Sequence, residues 1–271
     1  MRSTILPRTA PFLAGTLAVL LSSCGPKTEQ VELPRPEGGR SAGTLVDGKK
    51  DGHWLEYDAQ GHVENEGSYA NDLKTGLWQT FYPSGIPKTR STWTAGHQTG
   101  PQTVFNENGT VLAQGSCVDG LREGAWTDYY PSGRKRREAP WRAGKLEGLA
   151  VDWREDGSKE IETTFVQGVE NGPMRMYSPT SVLQLEYVNV DGKKEGPAVG
   201  HFPDGRVQFQ TTYVAGVREG RWDSWHPNGQ KASEGVFHND LRTGRWLCWS
   251  PNGQIDVPKS GIFEGPRKIA D

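Results

Sequence analysis

The residues able to do chemistry are few, and their spacing gives them little to do together. There are three cysteines, Cys24, Cys117 and Cys248, and six histidines, His53, His62, His97, His201, His226 and His238. None of the histidines stands at metal-ligand spacing from cysteine or acidic residues, and a metal centre needs convergent ligands. No nucleophile motif and no phosphate-cradling glycine loop occurs, so the chain reads as a protein without metal or cofactor and not as an enzyme. The balance of 31 Lys and Arg against 33 Asp and Glu leaves a net charge of -2. Phosphate binding needs a clear basic excess, so nucleic acid is not the expected partner.

Cys24 has a chemistry of its own. It closes the stretch MRSTILPRTAPFLAGTLAVLLSSC, which has a basic start at Arg2 and Arg8 and an apolar run from Pro11 to Leu21. That run is too short to span roughly 30 Å of hydrocarbon and has the dimensions of a signal-peptide core. Leu21-Ser22-Ser23-Cys24 resembles the lipobox of bacterial lipoproteins. The resemblance implies removal of residues 1–23 and acylation of the Cys24 thiol, which anchors the mature chain to a membrane. Gly25 follows where an Asp would imply inner-membrane retention, so the outer membrane is expected, facing the periplasm or the cell surface. Residues 24–42 are rich in Pro, Gly and charge and read as a lipidated cysteine followed by a flexible tether.

What must position everything else is a repeat. Gly52, Gly76, Gly100 and their successors to Gly244 recur every 24 residues without an insertion, and a second row runs from Gly61 to Gly253, broken only by Ser181. Aromatic residues keep the same step. One row is Tyr57, Phe81, Phe105, Tyr129, Trp153, Tyr177, Trp225 and Trp249, interrupted by His201; another is Trp54, Trp78, Trp126, Trp222 and Trp246. YPSG, FPDG, HPNG and SPNG are turn sequences, in which Pro presets φ and Gly takes the left-handed position. Segments of strand length separate them from a second turn of the DGLREG type. The spacing therefore predicts an all-β fold: an elongated, open antiparallel meander of nine 24-residue hairpins over residues 43–265, with a tail at 266–271. It is expected to begin with a lone strand near Thr44–Asp47.

EGRWDSWHPNGQKASEGVF and its copies resemble the MORN-repeat variant, a family often labelled YwqK-type antitoxin. The resemblance covers most of the chain after residue 43 and implies this same open array. It implies for function only an interaction surface, or, by its label, an antitoxin or immunity factor that neutralises a toxin.

The rows carry the candidate site. In Gly-x-Trp-x-x-aromatic the two rings differ in strand parity, which predicts an aromatic stripe on each face. The candidate binding surface is Trp54, Trp78, Trp126, Trp222, Trp225, Trp246 and Trp249, with His201 and Phe202 where the Gly-x-Trp pattern is lost at Gly100-Pro101-Gln102, Ala150, Gly172-Pro173-Met174 and Gly196-Pro197-Ala198. A glutamate row (Glu66, Glu138, Glu162, Glu186, Glu234) is expected to bond turn backbone or to pair with the basic row Lys50, Lys74, Arg122, Lys194, Arg218, Arg242. Cys117 and Cys248 would lie about 50 Å apart along such an array, far beyond the roughly 7 Å a disulfide allows, and read as packing residues. The leading expectation is a lipid-anchored protein-interaction or scaffold surface of the envelope, meeting the membrane through Cys24. Alternatives are an antitoxin, or a cell-wall module stacking its rings on carbohydrate.

Overall fold

The computed structural model describes residues 25–271, which form one open antiparallel sheet of 23 strands in which each pass of the chain is bonded to the next. The first strands are β1 (Thr28–Pro34), β2 (Arg40–Val46), β3 (Lys49–Tyr57) and β4 (Val63–Ala70). The sheet ends with Gly261–Glu264 and Arg267–Ala270. Two strands are continuations across a bulge. Lys145–Leu146 and Gly148–Trp153 both pair with Lys135–Arg142, and Val217–Arg218 and Gly220–Trp225 both pair with Val207–Val214. The 23 strands thus make 21 passes of the chain. β1 and Arg267–Ala270 each have a single neighbour, so the sheet does not close.

Two kinds of turn alternate and form two long rims. On one rim, two-residue turns such as Asp47-Gly48 place both residues at positive φ, 51° and 77°. This is the type I′ geometry that suits the right-handed twist of a hairpin. Ala95, Ala143 and Ala215 hold the same conformation at φ near 49°, 46° and 50°. On the other rim the five-residue P-x-G turns close through paired backbone bonds, as where the Tyr82 and Gly85 amides donate to the Ile86 and Tyr82 carbonyls. Ser181, the exception in that glycine row, keeps the left-handed conformation at φ 62°.

Turns one repeat apart are bonded to each other along both rims. Gly96 N–H donates to Lys74 O at 2.9 Å and Gly120 N–H to Gln98 O at 2.9 Å, and the pattern continues to Gly216 and Lys194. The acid of each R-E-G, L-E-G or K-E-G caps the next turn. Glu123, Glu147, Glu195 and Glu219 accept from the amides of Ala143, Gln167, Ala215 and Asn239 at 2.7–3.0 Å. On the P-x-G rim, Tyr82 and Tyr130 hydroxyls donate to the carbonyls of Phe105 and Trp153, and Arg154 reaches Tyr177 O.

The ends differ from expectation. Residues 25–42, read as a tether, contain β1 and the start of β2, paired in register from Thr28 with Val46 to Pro34 with Arg40. Arg35-Pro36-Glu37-Gly38-Gly39 is itself a P-x-G turn, with Arg35 N–H bonded to Gly39 O and the Arg35 guanidinium on Tyr57 O. The strand expected to stand alone is the second strand of an additional hairpin. The turn was hidden because it sits 23 residues before its counterpart at Asp58 instead of 24. The tail expected at 266–271 contributes the last strand. The signal peptide expected at residues 1–23 and the lipidated cysteine expected at Cys24 lie outside the described residues.

Candidate functional site

The two faces of the sheet are built from different rows. Trp54, Trp78, Trp126 and Trp246 lie on one face and are 0%, 2%, 2% and 1% exposed. Each indole N–H donates to a strand carbonyl ten residues back, on Thr44, Ser68, Ser116 and Val236, at 2.8–3.1 Å. Each ring lies flat over a glycine eleven residues back. A Cβ on Gly43, Gly67, Gly115 or Gly235 would come within 2.2–2.4 Å of the ring. Where the tryptophan is lost, the glycine is lost too: Gln102, Ala150, Met174 and Ala198 stand eleven residues after Ser91, Ala139, Thr163 and Tyr187.

Trp222 is the instructive exception. Its partner position is Thr211, whose side chain occupies the place a glycine leaves open. The ring is only half-buried, its N–H turns to Ser233 Oγ at 2.9 Å, and it stacks on Phe209 at 5.2 Å between centroids. Phe209 in turn lies over Gly200.

Rings of neighbouring strands lock edge to face along this side. Tyr69 meets Trp54 at 6.1 Å and Trp78 at 5.0 Å, and Phe237 meets Trp222 at 5.7 Å and Trp246 at 4.9 Å. Such pairs add about 0.5–1.5 kcal/mol beyond their burial. The basic row closes over the rings and does not pair with the glutamates. Lys50 caps Trp54 and Tyr69, Lys74 caps Trp78 and Trp93, Arg122 caps Trp126 and Trp141, and Arg242 caps Trp246 and Phe263, all at 4.0–5.4 Å. Burial pulls the Lys74 ammonium below the ordinary lysine range. Burial, with the neighbouring Glu56 carboxylate, pushes the Tyr69 phenol up.

This overturns part of the expected binding surface. Trp54, Trp78, Trp126 and Trp246 are the core of the array and offer a partner nothing. The sites that lost tryptophan are not opened either: Ala150 and Ala198 are fully buried. His201 and Phe202 are half-buried, and His201 Nδ1 has no hydrogen-bond partner. Cys117 and Cys248 are free and buried, and burial raises both thiols above their ordinary range. Cys117 packs with Ala113 and Trp126, in a place that other repeats fill with a ring.

The opposite face carries Trp225 and Trp249, both half-buried, in the row that begins at Tyr57. Here the glutamate row finds its partners. Lys135 lies over Trp153 and pairs with Glu138; Lys159 lies over Tyr177 and pairs with Glu162; Lys231 lies over Trp225 and pairs with Glu234 and Asp223. Hydrogen bonds from Lys159 and Tyr177 hold Glu162 below the usual carboxylate range. Arg221, then Lys231, do the same for Asp223. The result is a repeating surface of ring, cation and carboxylate with all three groups partly open to solvent. His53 bonds Glu66 at 3.0 Å on this face. Among the described residues no group of three His, Cys, Asp or Glu side chains is placed to hold a metal ion.

The sequence did not say which stripe is enclosed, because parity separates faces without ranking them. The glycines at 43, 67, 115 and 235 carried that information. They mark the face on which rings lie flat against backbone.

No curated protein matches the chain. Among solved structures, the crystal structure of TcdB2-TccC3-TEV is similar at 12% identity and a TM-score of 0.19, over 84% of this chain and 14% of that one. The chain therefore spans about one seventh of the length of that structure. A family model, described as MORN repeat variant, matches residues 50–71 and 218–239. Both matches carry a Gly-x-Trp and a turn closed by a left-handed glycine, Gly61 or Gly229, and these two repeats match the MORN repeat variant family.

Proposed function

We propose that the chain is a non-catalytic, lipid-anchored envelope protein whose open array presents its ring, cation and carboxylate face to a protein partner. The supporting observation is the division of labour between faces. One face buries Trp54, Trp78, Trp126 and Trp246 completely, whereas the other leaves Trp153, Tyr177, Trp225 and Trp249 half-open, the first three beside paired charges. Exposed aromatic and arginine or lysine groups in mixed-charge surroundings are typical of protein interfaces. Families of interaction repeats, of which the MORN variant is one, build such surfaces by repetition.

The test is affinity purification of the full chain from its native membrane, with bound proteins identified by mass spectrometry. The expected result is a discrete partner that is lost with Trp225→Ala and Trp249→Ala together and retained with Glu107→Ala, which alters an exposed turn tip away from that face. Recovery of no partner, or equal recovery with both variants, refutes the proposal. A recovered toxin would make the partner that of an immunity factor. Retention of the chain on cell-wall glycan in place of protein would move the reading to carbohydrate.

A further inference from the structure

The face that carries Trp225 and Trp249 changes its chemistry at the last repeat. In the repeat before, Arg221 is held by carboxylates. Its Nε and Nη2 donate to the two oxygens of Asp223 at 2.5 and 2.9 Å, and Glu234 lies 3.6 Å away. Lys231 pairs with both acids. One 24-residue step further the arginine is kept as Arg245, but its partners are gone. Leu247 stands in the place of Asp223, Ile255 in that of Lys231 and Pro258 in that of Glu234.

The backbone changes with them. Ile255 pairs with Trp249 as Lys231 pairs with Trp225. Residues 256–260 then leave the sheet, with a 3₁₀ turn at Val257–Lys259, and the chain returns at Gly261 opposite Trp246. The detour opens a hollow of about 410 Å³ walled by Leu247, Ile255, Val257 and Ile262, with Arg245 beside them. Ile255, Val257 and Ile262 are 55%, 58% and 41% exposed. A second hollow, walled by Arg221, Glu234 and Val236, shares Arg245 and Leu247 with the first, so the two form one groove across the strand. The acids nearby have cations of their own: Glu234 has Arg221 and Lys231, Asp271 has Lys268, and Glu264 has Arg267. Among the described residues none is within ion-pair distance of Arg245.

We infer that this groove binds a segment of the partner protein in which an acidic side chain is flanked by aliphatic ones, its carboxylate meeting Arg245 as Asp223 meets Arg221. The inference names the partner chemistry of the face proposed above and rests on that reading. A cationic ligand would be repelled by Arg245. A purely apolar one would cover the guanidinium and leave it unpaired, which is costly. A carboxylate satisfies it in the two-pronged geometry that arginine favours, and neighbouring aliphatic side chains fill the hollow. The continuation of the groove past Arg245 suits an extended segment better than a single compact molecule.

The experiment is a titration of the full chain, in detergent, with acetyl-leucyl-glutamyl-leucine amide and with its glutaminyl counterpart. The readout is the ¹⁵N nuclear magnetic resonance signal of Arg245 Nε–H, identified by its absence in Arg245→Gln. The expected result is a saturable shift of that signal by the glutamyl peptide, with several-fold weaker binding of the glutaminyl one. Leu247→Asp supplies the missing carboxylate from within, in a place where the preceding repeat already carries an aspartate. It is expected to abolish the preference for the glutamyl peptide while the other arginine signals stay in place. Partition of peptide into detergent is common to both chains and cancels in the comparison. No shift in the wild type, equal binding of the two peptides, or an unchanged preference in Leu247→Asp overturns the proposal. Tighter binding of octanoate than of the glutamyl peptide overturns the assignment to a protein segment. The underlying reading is checked separately by the purification described above. A partner recovered equally with wild type and Leu247→Asp leaves that reading standing and removes this site.

Discussion

Gly67→Ala isolates the packing of a tryptophan on backbone. Gly67 is not among the residues with positive φ, so its strand conformation is open to alanine. On backbone grounds alone the substitution would stabilise the chain by about 0.5–1 kcal/mol. The added Cβ, however, would sit 2.2 Å from the Trp78 ring, where ordinary contact begins near 3.4 Å. The indole must lift by more than 1 Å. Trp78 Nε1 then loses its 3.0 Å bond to Ser68 O, and the ring presses on Tyr69 at 5.0 Å. Overpacking of this kind costs about 1–3 kcal/mol, and a buried donor left unpaired costs about 1–3 kcal/mol. These terms outweigh the backbone gain, and Gly67→Ala is expected to destabilise by about 2 kcal/mol. Trp78→Ala alone is expected to cost about 3–5 kcal/mol. In that background the clash is gone, and Gly67→Ala becomes neutral or stabilising. Urea denaturation followed by far-ultraviolet circular dichroism on the four members of the cycle measures the change of sign. An equal effect of Gly67→Ala in both backgrounds would refute the reasoning, as would stabilisation by Gly67→Ala in the wild type.

Three further outcomes follow from the same geometry. Ser181→Gly relieves a left-handed φ of 62° and is expected to raise stability by about 1 kcal/mol, read as a higher thermal midpoint. Arg122→Met removes the guanidinium that lies 4.1 Å from Trp126 and 4.9 Å from Trp141, while keeping an apolar stem over the rings. A loss of about 1 kcal/mol that Arg122→Lys largely restores is expected in the same denaturation assay. Glu162 has its pKa depressed in the folded chain by Lys159 and Tyr177. Its contribution is therefore present above the unfolded carboxylate pKa and disappears as pH falls through the lower folded value. Stability measured from pH 7 down to about pH 2 should fall less steeply in Glu162→Gln than in wild type, and parallel curves would remove Glu162 from the acid response.

The hairpin array was legible because turns are specified locally. A glycine or asparagine at positive φ leaves a mark in the sequence whatever surrounds it, and the 24-residue step did the rest. The first hairpin escaped because Arg35-Pro36-Glu37-Gly38 sits one residue out of phase, although its turn chemistry is the same. The binding surface was only half legible. Trp54 and Trp225 look alike as residues, and only the glycine eleven positions before Trp54 shows that one of them lies against backbone. The basic row was misassigned for a related reason. Lys50 and Arg122 could meet a carboxylate or a ring by sequence spacing, and the enclosed rings on their own face, which no linear spacing reveals, decide for the ring.

The number of passes has a consequence for assembly. With 21 antiparallel passes, β1 and Arg267–Ala270 run in the same direction. A copy set end to end by simple translation would therefore meet its neighbour in parallel, against the hydrogen-bond pattern of every other junction in the sheet. The array cannot extend itself into a fibre by repeating its own rule, although both its edge strands are open. The same odd count sends the last strand away from the rim on which the first begins. The last strand thus points toward the P-x-G side, and its end at Ala270 lies level with Arg245, about midway across the sheet.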